Sequence, residues 1–530
     1  MSIYDYIIVG GGISGLFMTY KLAETGKSIL VVESTNRLGG RVYTKKEKGV
    51  QFELGAARIS SKHTKMLSLI DELGLQDDLI KLSDEITYKI KGPNVNYYSL
   101  VKELLEGSKL YTKKYLQSIN LLQLCIDVLG HQGATTFQDK LGYDSEFESL
   151  NAHQALQSYK NDLFTACDYY VMKNGLSTVI DSLATLLKEK ENVKIKLDVN
   201  VTDIGKNFIQ IDKKKKHGSS IICCVPYDSL TSFTRFKDIK EIHAVKPIPL
   251  IRIYAKYPKE KDGKVWFHKL HRTITSNYIR HIIPIDYESG LIMISYTDGL
   301  YADMWNNLSK LSDKVLIEHV HKEVKEVLGK KPPKPDFVIT HYWSAGVHMW
   351  KPGYDVKEMY EKVIQPFEGE KVFVVNEAYS THQCWIEGCL EASYDVLELI
   401  DSSFKRGKSK SKPKNKVKGG SKKRTTSNKV YTIQQVLKHR NWIVLDIKGK
   451  LRIYDVGKWL QDHPGGASNL RKGIKANKHY QNKDKYPESP IQLFKQIGAH
   501  TSGKVIQKMI VKENDKVKFI GVLKKVNLII

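Results

Sequence analysis

Three glycines near the start of the chain carry its first recognisable chemistry. Gly10-Gly11-Gly12-Ile13-Ser14-Gly15 follows the apolar run Tyr4-Asp5-Tyr6-Ile7-Ile8-Val9 and precedes apolar residues at helical spacing from Leu16. The pattern suits a pyrophosphate. Gly10 permits a tight turn, Gly12 lets backbone approach phosphate, and Gly15 allows close helix–strand packing. The helix N-terminus that opens beside Ser14 then faces the phosphate charge. Glu33 closes the next apolar run, Ser28-Ile29-Leu30-Val31-Val32-Glu33, where a carboxylate can accept from ribose hydroxyls. It disfavours a 2′-phosphate but does not separate NAD from FAD. The alternative, a glycine-rich turn without a ligand, has strand, turn, helix and acid in register against it.

These residues need a βαβ unit to position them, and the pattern predicts one, with Gly26 at the helix C-terminus. Further helices are expected over 64–73, 99–129 and 385–400, with two short ones within 304–328. Strands are expected over 193–204, 221–225, 250–254 and 372–375. A chain of 530 residues exceeds one comfortable core and suggests two to four domains. With 41% apolar and 27% charged residues it reads as soluble and globular. Residues 405–429 hold 12 Lys or Arg and no Asp or Glu, so much of the net charge of +26 is concentrated there. Such a segment buries too little to offset its chain entropy and is expected to be a disordered tether. Nucleic-acid or anionic-surface contact through it is a minor expectation. The six cysteines are sparse and form no CxxC pair, which suits a reducing, cytoplasmic location over a disulfide scaffold. No signal peptide is expected before the first strand, and no apolar run approaches membrane-spanning length.

Several segments beyond the glycine turn resemble the flavin-containing amine oxidase family. Arg37-Leu38-Gly39-Gly40-Arg41 looks like the loop that wraps the pyrophosphate and ribityl chain in that family. Glu53-Leu54-Gly55-Ala56-Ala57 looks like the segment beside the isoalloxazine ring. Lys173-Asn174-Gly175-Leu176-Ser177 with Val199-Asn200-Val201 resembles the middle cofactor segment, Val201 meeting the adenine, and Cys224-Val225-Pro226 the strand end that follows. Val372 through Ala378, then Trp385-Ile386-Glu387-Gly388, resemble the C-terminal fingerprint. The resemblance covers about residues 4–400 and implies an α/β fold: a Rossmann-type FAD-binding domain with an inserted α+β substrate domain. It assigns residues 1–404 to this region, with FAD-binding parts near 1–60, 171–235 and 340–404 and substrate parts near 61–170 and 236–339. It implies that Glu377 lies near ribityl or phosphate oxygens, and that Trp385 and Ile386 open a helix aimed at the pyrimidine edge of the flavin. Asn376 stands where the fingerprint has Gly. No Cys occupies the family's covalent attachment position, so non-covalent FAD is expected. The family's flavin-side Lys maps to Leu250, with Lys246 and Arg252 nearby.

The run from Leu54 to Arg58 and Ile59 resembles the L-amino-acid oxidase branch, where the Arg binds the substrate carboxylate. A guanidinium offers such a group bidentate hydrogen bonds. The alternative for Arg58 is a structural ion pair at the domain junction. Trp385 resembles one wall of the substrate cage, with Tyr354 or Trp350 as the opposite wall; Trp343 and Trp350 read equally well as core aromatics. His63 reads as an ordinary surface-helix residue.

Past the tether, Val456-Gly457-Lys458-Trp459-Leu460-Gln461-Asp462-His463-Pro464-Gly465-Gly466 resembles cytochrome b5. So do Trp442-Ile443-Val444 and Tyr454-Asp455-Val456 as strands, and Phe519-Ile520-Gly521 as a closing strand. The resemblance implies a small α+β haem-binding domain over 430–530, with His463 and His500 as axial ligands of haem b. Full axial ligation suits electron transfer. The interval between the two histidines is longer than usual and includes His479, a weaker alternative ligand; a fold that no longer binds haem is the other reading.

Together the resemblances imply an FAD enzyme that oxidises a C–N bond of an amine or L-amino acid. Its electrons would pass to O2, to a redox protein or to the tethered haem. A desaturase or porphyrinogen oxidase of the same fold, and a non-catalytic flavin or haem scaffold, are the competing readings.

Overall fold

The computed structural model describes residues 3–93, 95–160 and 167–404, and the backbones of strands at 430–431, 442–447, 450–455 and 518–523. The chain forms two compact units, 1–410 and 411–530.

The first unit is built on a parallel sheet. Tyr4–Val9 pairs in parallel with Ile29–Val32 on one side and Lys214–Cys223 on the other; Val193–Lys196 and Val372–Val374 extend the two flanks. Both faces are buried, as parallel strands require. Alternation divides the first strand between two cores: Tyr6 and Ile8 pack with Leu16, Phe17 and Leu183, whereas Ile7 and Val9 face Phe233, Phe236 and Val356. Phe208–Ile211 and Val201–Ile204 continue the sheet antiparallel.

A six-stranded sheet forms the second layer. Its order is Phe337–Trp350, Val245–Lys256, Leu291–Asp298, His281–Asp286, Arg272–Thr275 and Ile86–Lys89. Ile251, Ile253, Ile292 and Ile294 turn one face towards helices Gly299–Ser309 and Asp313–Leu328, which contribute Trp305, Leu316 and Val320. Leu250 and Arg252 alternate with Ile251 and Ile253, and their cross-strand partners Asp298 and Tyr296 share that other face; a bulge at Ile294 shifts the alternation, so Ile292 and Ile294 face the helices despite the even spacing. No helix among the described residues is long and apolar enough to cross a membrane.

Two expected elements are divided. The helix expected over 99–129 is three helices, Tyr97–Ser108, Lys113–Ser118 and Leu121–Leu141. The side chains of Thr112 and Asn120 accept from Tyr115 N–H and Gln123 N–H and restart the helix each time. The strand expected over 193–204 is Val193–Lys196 and Val201–Ile204, which separate where Asp198 adopts φ +54°.

In the second unit Val430–Tyr431 runs parallel to Lys518–Leu523. Lys450–Asp455 joins that strand and Trp442–Ile447 antiparallel. The tether over 405–429 and the histidines His463, His479 and His500 lie outside the described residues.

Candidate functional site

The glycine turn closes as the motif demands. Gly10 has φ +106°, and a Cβ there would lie 2.5 Å from the Cys224 carbonyl oxygen. A Cβ on Gly15 would lie 2.0 Å from the Gly10 carbonyl oxygen, so this glycine serves packing and does not border the cavity. At Gly12 a Cβ would meet no atom within 4 Å. The space it faces is a cavity of about 690 Å³ that Gly10, Gly12, Ser14 and Glu33 line together. Glu33 braces the turn, accepting from Gly11 N–H at 2.7 Å and from Thr35 N–H at 2.9 Å.

The later segments border the same space. Arg37, Gly39, Gly40 and Arg41 form one rim, Gly55, Ala56 and Arg58 a second, and Val201 a third. The Arg37 guanidinium donates to the Gly40 carbonyl at 2.7 Å and lies 3.9 Å over the Tyr43 ring. Arg41 pairs with Glu377, which also meets His348 Nδ1 at 2.7 Å. Burial alone would raise the Glu377 carboxyl, but Arg41 and His348 outweigh it and hold it at about 2. Trp385 caps helix Ile386–Ile400, and both Trp385 and Ile386 line the cavity. Asn376 sits at φ −159°, extended backbone that any residue adopts, so the departure from Gly costs no strain. Its Nδ2 donates to the Val225 carbonyl at 2.8 Å, while its buried Oδ1 has no hydrogen-bond partner among the described residues. An open cradle at Gly12, an unanswered carbonyl at the cavity wall and two helix N-termini fit a polyhydroxylated diphosphate such as FAD.

Beyond this groove the sheet register assembles a second set of residues. Leu250 pairs with Asp298 and Trp343, and Arg252 with Tyr296, so Leu250, Arg252, Tyr296, Asp298 and Trp343 all reach the cavity. Arg58 donates to the Tyr143 hydroxyl at 3.0 Å and lies 5.7 Å over the Tyr169 ring. The structural ion pair considered for it is not found among the described residues. Leu250 occupies the expected lysine position. Lys246 instead reaches Ser149 Oγ at 3.1 Å, and no lysine borders the cavity among the described residues.

Three expectations are corrected. His63 is no surface residue: it is 3% exposed, lies edge-on to Trp385 at 4.7 Å, and burial pushes it down to about 4. Trp350 is wholly buried, its indole N–H donating to the Ser380 carbonyl at 2.9 Å. Tyr354 does not border the cavity either. Its strand ends at Trp350, a turn follows with Gly353 at φ +94°, and the ring packs against the core beneath the sheet. The indole of Trp343 borders the cavity, donating to the Leu54 carbonyl at 2.7 Å.

The sequence reading missed Tyr143, Glu146, Tyr296 and Asp298, which also line the cavity. Asp298 accepts from Asp144 N–H at 3.0 Å and Ser145 N–H at 3.1 Å; burial and Asp144 push it up to about 7. Burial likewise lifts Glu146 to about 7. Arg280 neutralises Asp139 and Asp144 behind them. The one available signal was an acid ending the otherwise uncharged strand Leu291–Asp298. Among the described residues no cluster of His, Cys, Asp and Glu is arranged to hold a metal ion.

Comparison with known proteins agrees with this geometry. The family described as flavin containing amine oxidoreductase matches residues 13–396. Amine oxidase [flavin-containing] A of Equus caballus is 36% identical over 90 residues, 17% of each chain. Putrescine oxidase of Kocuria rosea is 39% identical over 72 residues, 14% of this chain and 15% of its own. The aligned stretch thus spans less than a fifth of these curated relatives. Among solved structures, a candidate protoporphyrinogen oxidase from Exiguobacterium superimposes with a TM-score of 0.61 at 17% identity, covering 76% of this chain and 100% of its own. A double mutant of putrescine oxidase gives 0.60 at 16% identity, covering 75% and 99%. At such identities the structures speak for the fold alone.

Proposed function

The chain belongs to the flavin containing amine oxidoreductase family, and from that premise we propose that it binds FAD without a covalent link and oxidises the C–N bond of an L-amino acid or amine. The observation that carries the amino-acid reading is Arg58, a guanidinium at the cavity wall that has a tyrosine hydroxyl but, among the described residues, no carboxylate as partner. The fork of Arg58 takes the substrate carboxylate and fixes the orientation of the neighbouring carbon. Trp385 and Trp343 give the cavity two flat walls. Asp298 and Glu146 take the proton of the substrate ammonium, which leaves the neutral amine needed for C–H cleavage. Bound FAD supplies the two-electron acceptor for the hydrogen lost from carbon. The imine then leaves to be hydrolysed, and O2 or a redox protein reoxidises the cofactor.

The purified protein should show flavin absorption bands. A screen of L-amino acids and amines, read by flavin bleaching and peroxide release, should find turnover. Flavin-free protein, or inertness to both substrate classes while porphyrinogens are oxidised, would overturn this function.

For the second unit we propose a haem b electron-transfer role through His463 and His500. Its support is the His-Pro-Gly-Gly motif and the four strands that flank it in sequence. A Soret band that sharpens and shifts on reduction is expected; haem-supplemented protein without one would remove the role. Six free cysteines support a reducing, cytoplasmic setting.

A further inference from the structure

Arg58 and Arg252 line the same cavity and share a pair of tyrosines. Arg58 holds the Tyr143 hydroxyl at 3.0 Å, Arg252 lies 4.8 Å over the Tyr296 ring, and the two rings meet at 5.7 Å. Arg252 donates to the Glu53 carbonyl at 2.8 Å and has no ion pair among the described residues; nor has Arg58. Behind them stands Arg272, its buried Nε without any partner; burial and the neighbouring Arg58 both depress its pKa.

Three other partly or wholly buried guanidiniums have carboxylate partners, Arg41 with Glu377, Arg235 with Glu370, and Arg280 with Asp139 and Asp144, whereas the half-buried Arg37 is held by backbone carbonyls and the Tyr43 ring. The charge of Arg252 reaches Glu53 and opposes the burial that raises its carboxyl, but the Glu53 carboxylate makes its hydrogen bonds to the Leu176 N–H at 2.7 Å and the Thr44 hydroxyl and forms no ion pair with Arg252. Glu146 and Asp298 share a different neighbourhood, with each other and Cys384. Guanidiniums removed from water need an anion, and an α-carboxylate answers only one of them.

We propose that the substrate is an amino acid bearing a second carboxylate, with its two anionic groups divided between Arg58 and Arg252 and its amine directed to Glu146 and Asp298. The proposal rests on the amino-acid reading above and narrows it. A wall of one guanidinium and two phenols suits a side-chain carboxylate, not an apolar chain, because the guanidinium has a neutral carbonyl and phenols around it but no ion-paired counter-charge among the described residues.

The test uses the FAD-loaded enzyme. kcat/KM should favour L-glutamate or L-aspartate over the matching amide by about 100-fold, the scale set by truncating one partner of a desolvated charge pair. Arg252→Met should bring the acid-to-amide ratio to about 1, with Arg252→Lys between the two. Glutarate should perturb the flavin spectrum at concentrations where butyrate does not. Equal or better turnover of L-glutamine or L-leucine in the wild type, or no response to glutarate, overturns the dicarboxylate proposal and leaves amino-acid oxidation standing. Turnover of amines with no amino acid accepted defeats the underlying reading instead.

Discussion

Arg58 and Tyr143 lie 3.0 Å apart, joined by a hydrogen bond from the guanidinium to the phenol in the lining of the cavity. They come from segments 85 residues apart, and the phenol leaves the positive charge unneutralised. Replacing Arg58 by Met should therefore lower kcat/KM for L-amino acids by about two orders of magnitude, about 3 kcal/mol. Turnover of the corresponding decarboxylated amines should change little. Equal losses on both substrate classes would show that Arg58 shapes the site without binding carboxylate.

The glycine turn separates folding from cofactor binding. Gly12→Ala places its methyl in the cavity and in no protein atom, so the apoprotein should keep its stability and lose flavin. Gly15→Ala drives its methyl to 2.0 Å from a backbone oxygen and should cost about 1–3 kcal/mol as well as flavin. Thermal unfolding of flavin-stripped protein alongside flavin content checks both. Identical behaviour of the two variants would contradict the division.

Glu377 joins Arg41 and His348 in a buried cluster. Its folded pKa, about 2, lies below the usual 4.5, so its contribution is present above about 4.5 and is lost as pH falls through about 2. Glu377→Gln should destabilise by about 3 kcal/mol near neutrality and flatten the acid limb of the stability curve. Unfolding midpoints measured at pH values between about 7 and 2 test this.

Asp298 has the opposite sign. Its folded pKa, about 7, lies above the usual 3.8, so its favourable contribution is complete below about 3.8 and lost as pH rises through about 7. Asp298→Asn keeps an acceptor for one N–H and removes the titration. The variant's midpoint should fall less than the wild type's between about pH 4 and pH 7. Substrate turnover should lose its rise near pH 7, shared with Glu146 as a coupled pair. Parallel curves for variant and wild type would place the titration elsewhere.

Tyr354→Phe should be silent, because the ring packs away from the cavity. Trp343→Ala removes a cavity wall and should raise KM by about tenfold, the scale of a lost apolar contact. A strong kinetic effect at Tyr354 with none at Trp343 would reverse this assignment.

The two division errors in the secondary structure have local causes that hydrophobic spacing does not register. Thr112 and Asn120 cap new helices within a stretch whose apolar spacing continues, and Asp198 breaks a strand by adopting a left-handed conformation. His63 failed differently. Its neighbours on either side are exposed or polar, and it is packed against Trp385 and His382, more than 300 positions later.

The sequence by itself determined the dinucleotide groove. Strand, glycine turn, helix and acid lie within the first 33 residues, and each constraint acts on chain neighbours: the φ of Gly10, the contact of Gly15 on Gly10, the reach of Glu33 to Gly11. At the substrate end the sequence pointed to Arg58 and Trp385, and tertiary structure decided the rest. Leu250 faces Asp298, and Arg252 faces Tyr296, because two strands pair in one register; a slip of one residue in the second strand would turn Tyr296 and Asp298 away from Leu250 and Arg252. That register is set by the burial of Ile251, Ile253, Ile292 and Ile294 against helices elsewhere in the chain, so no local pattern marks Arg252, Tyr296 or Asp298 as belonging to one site.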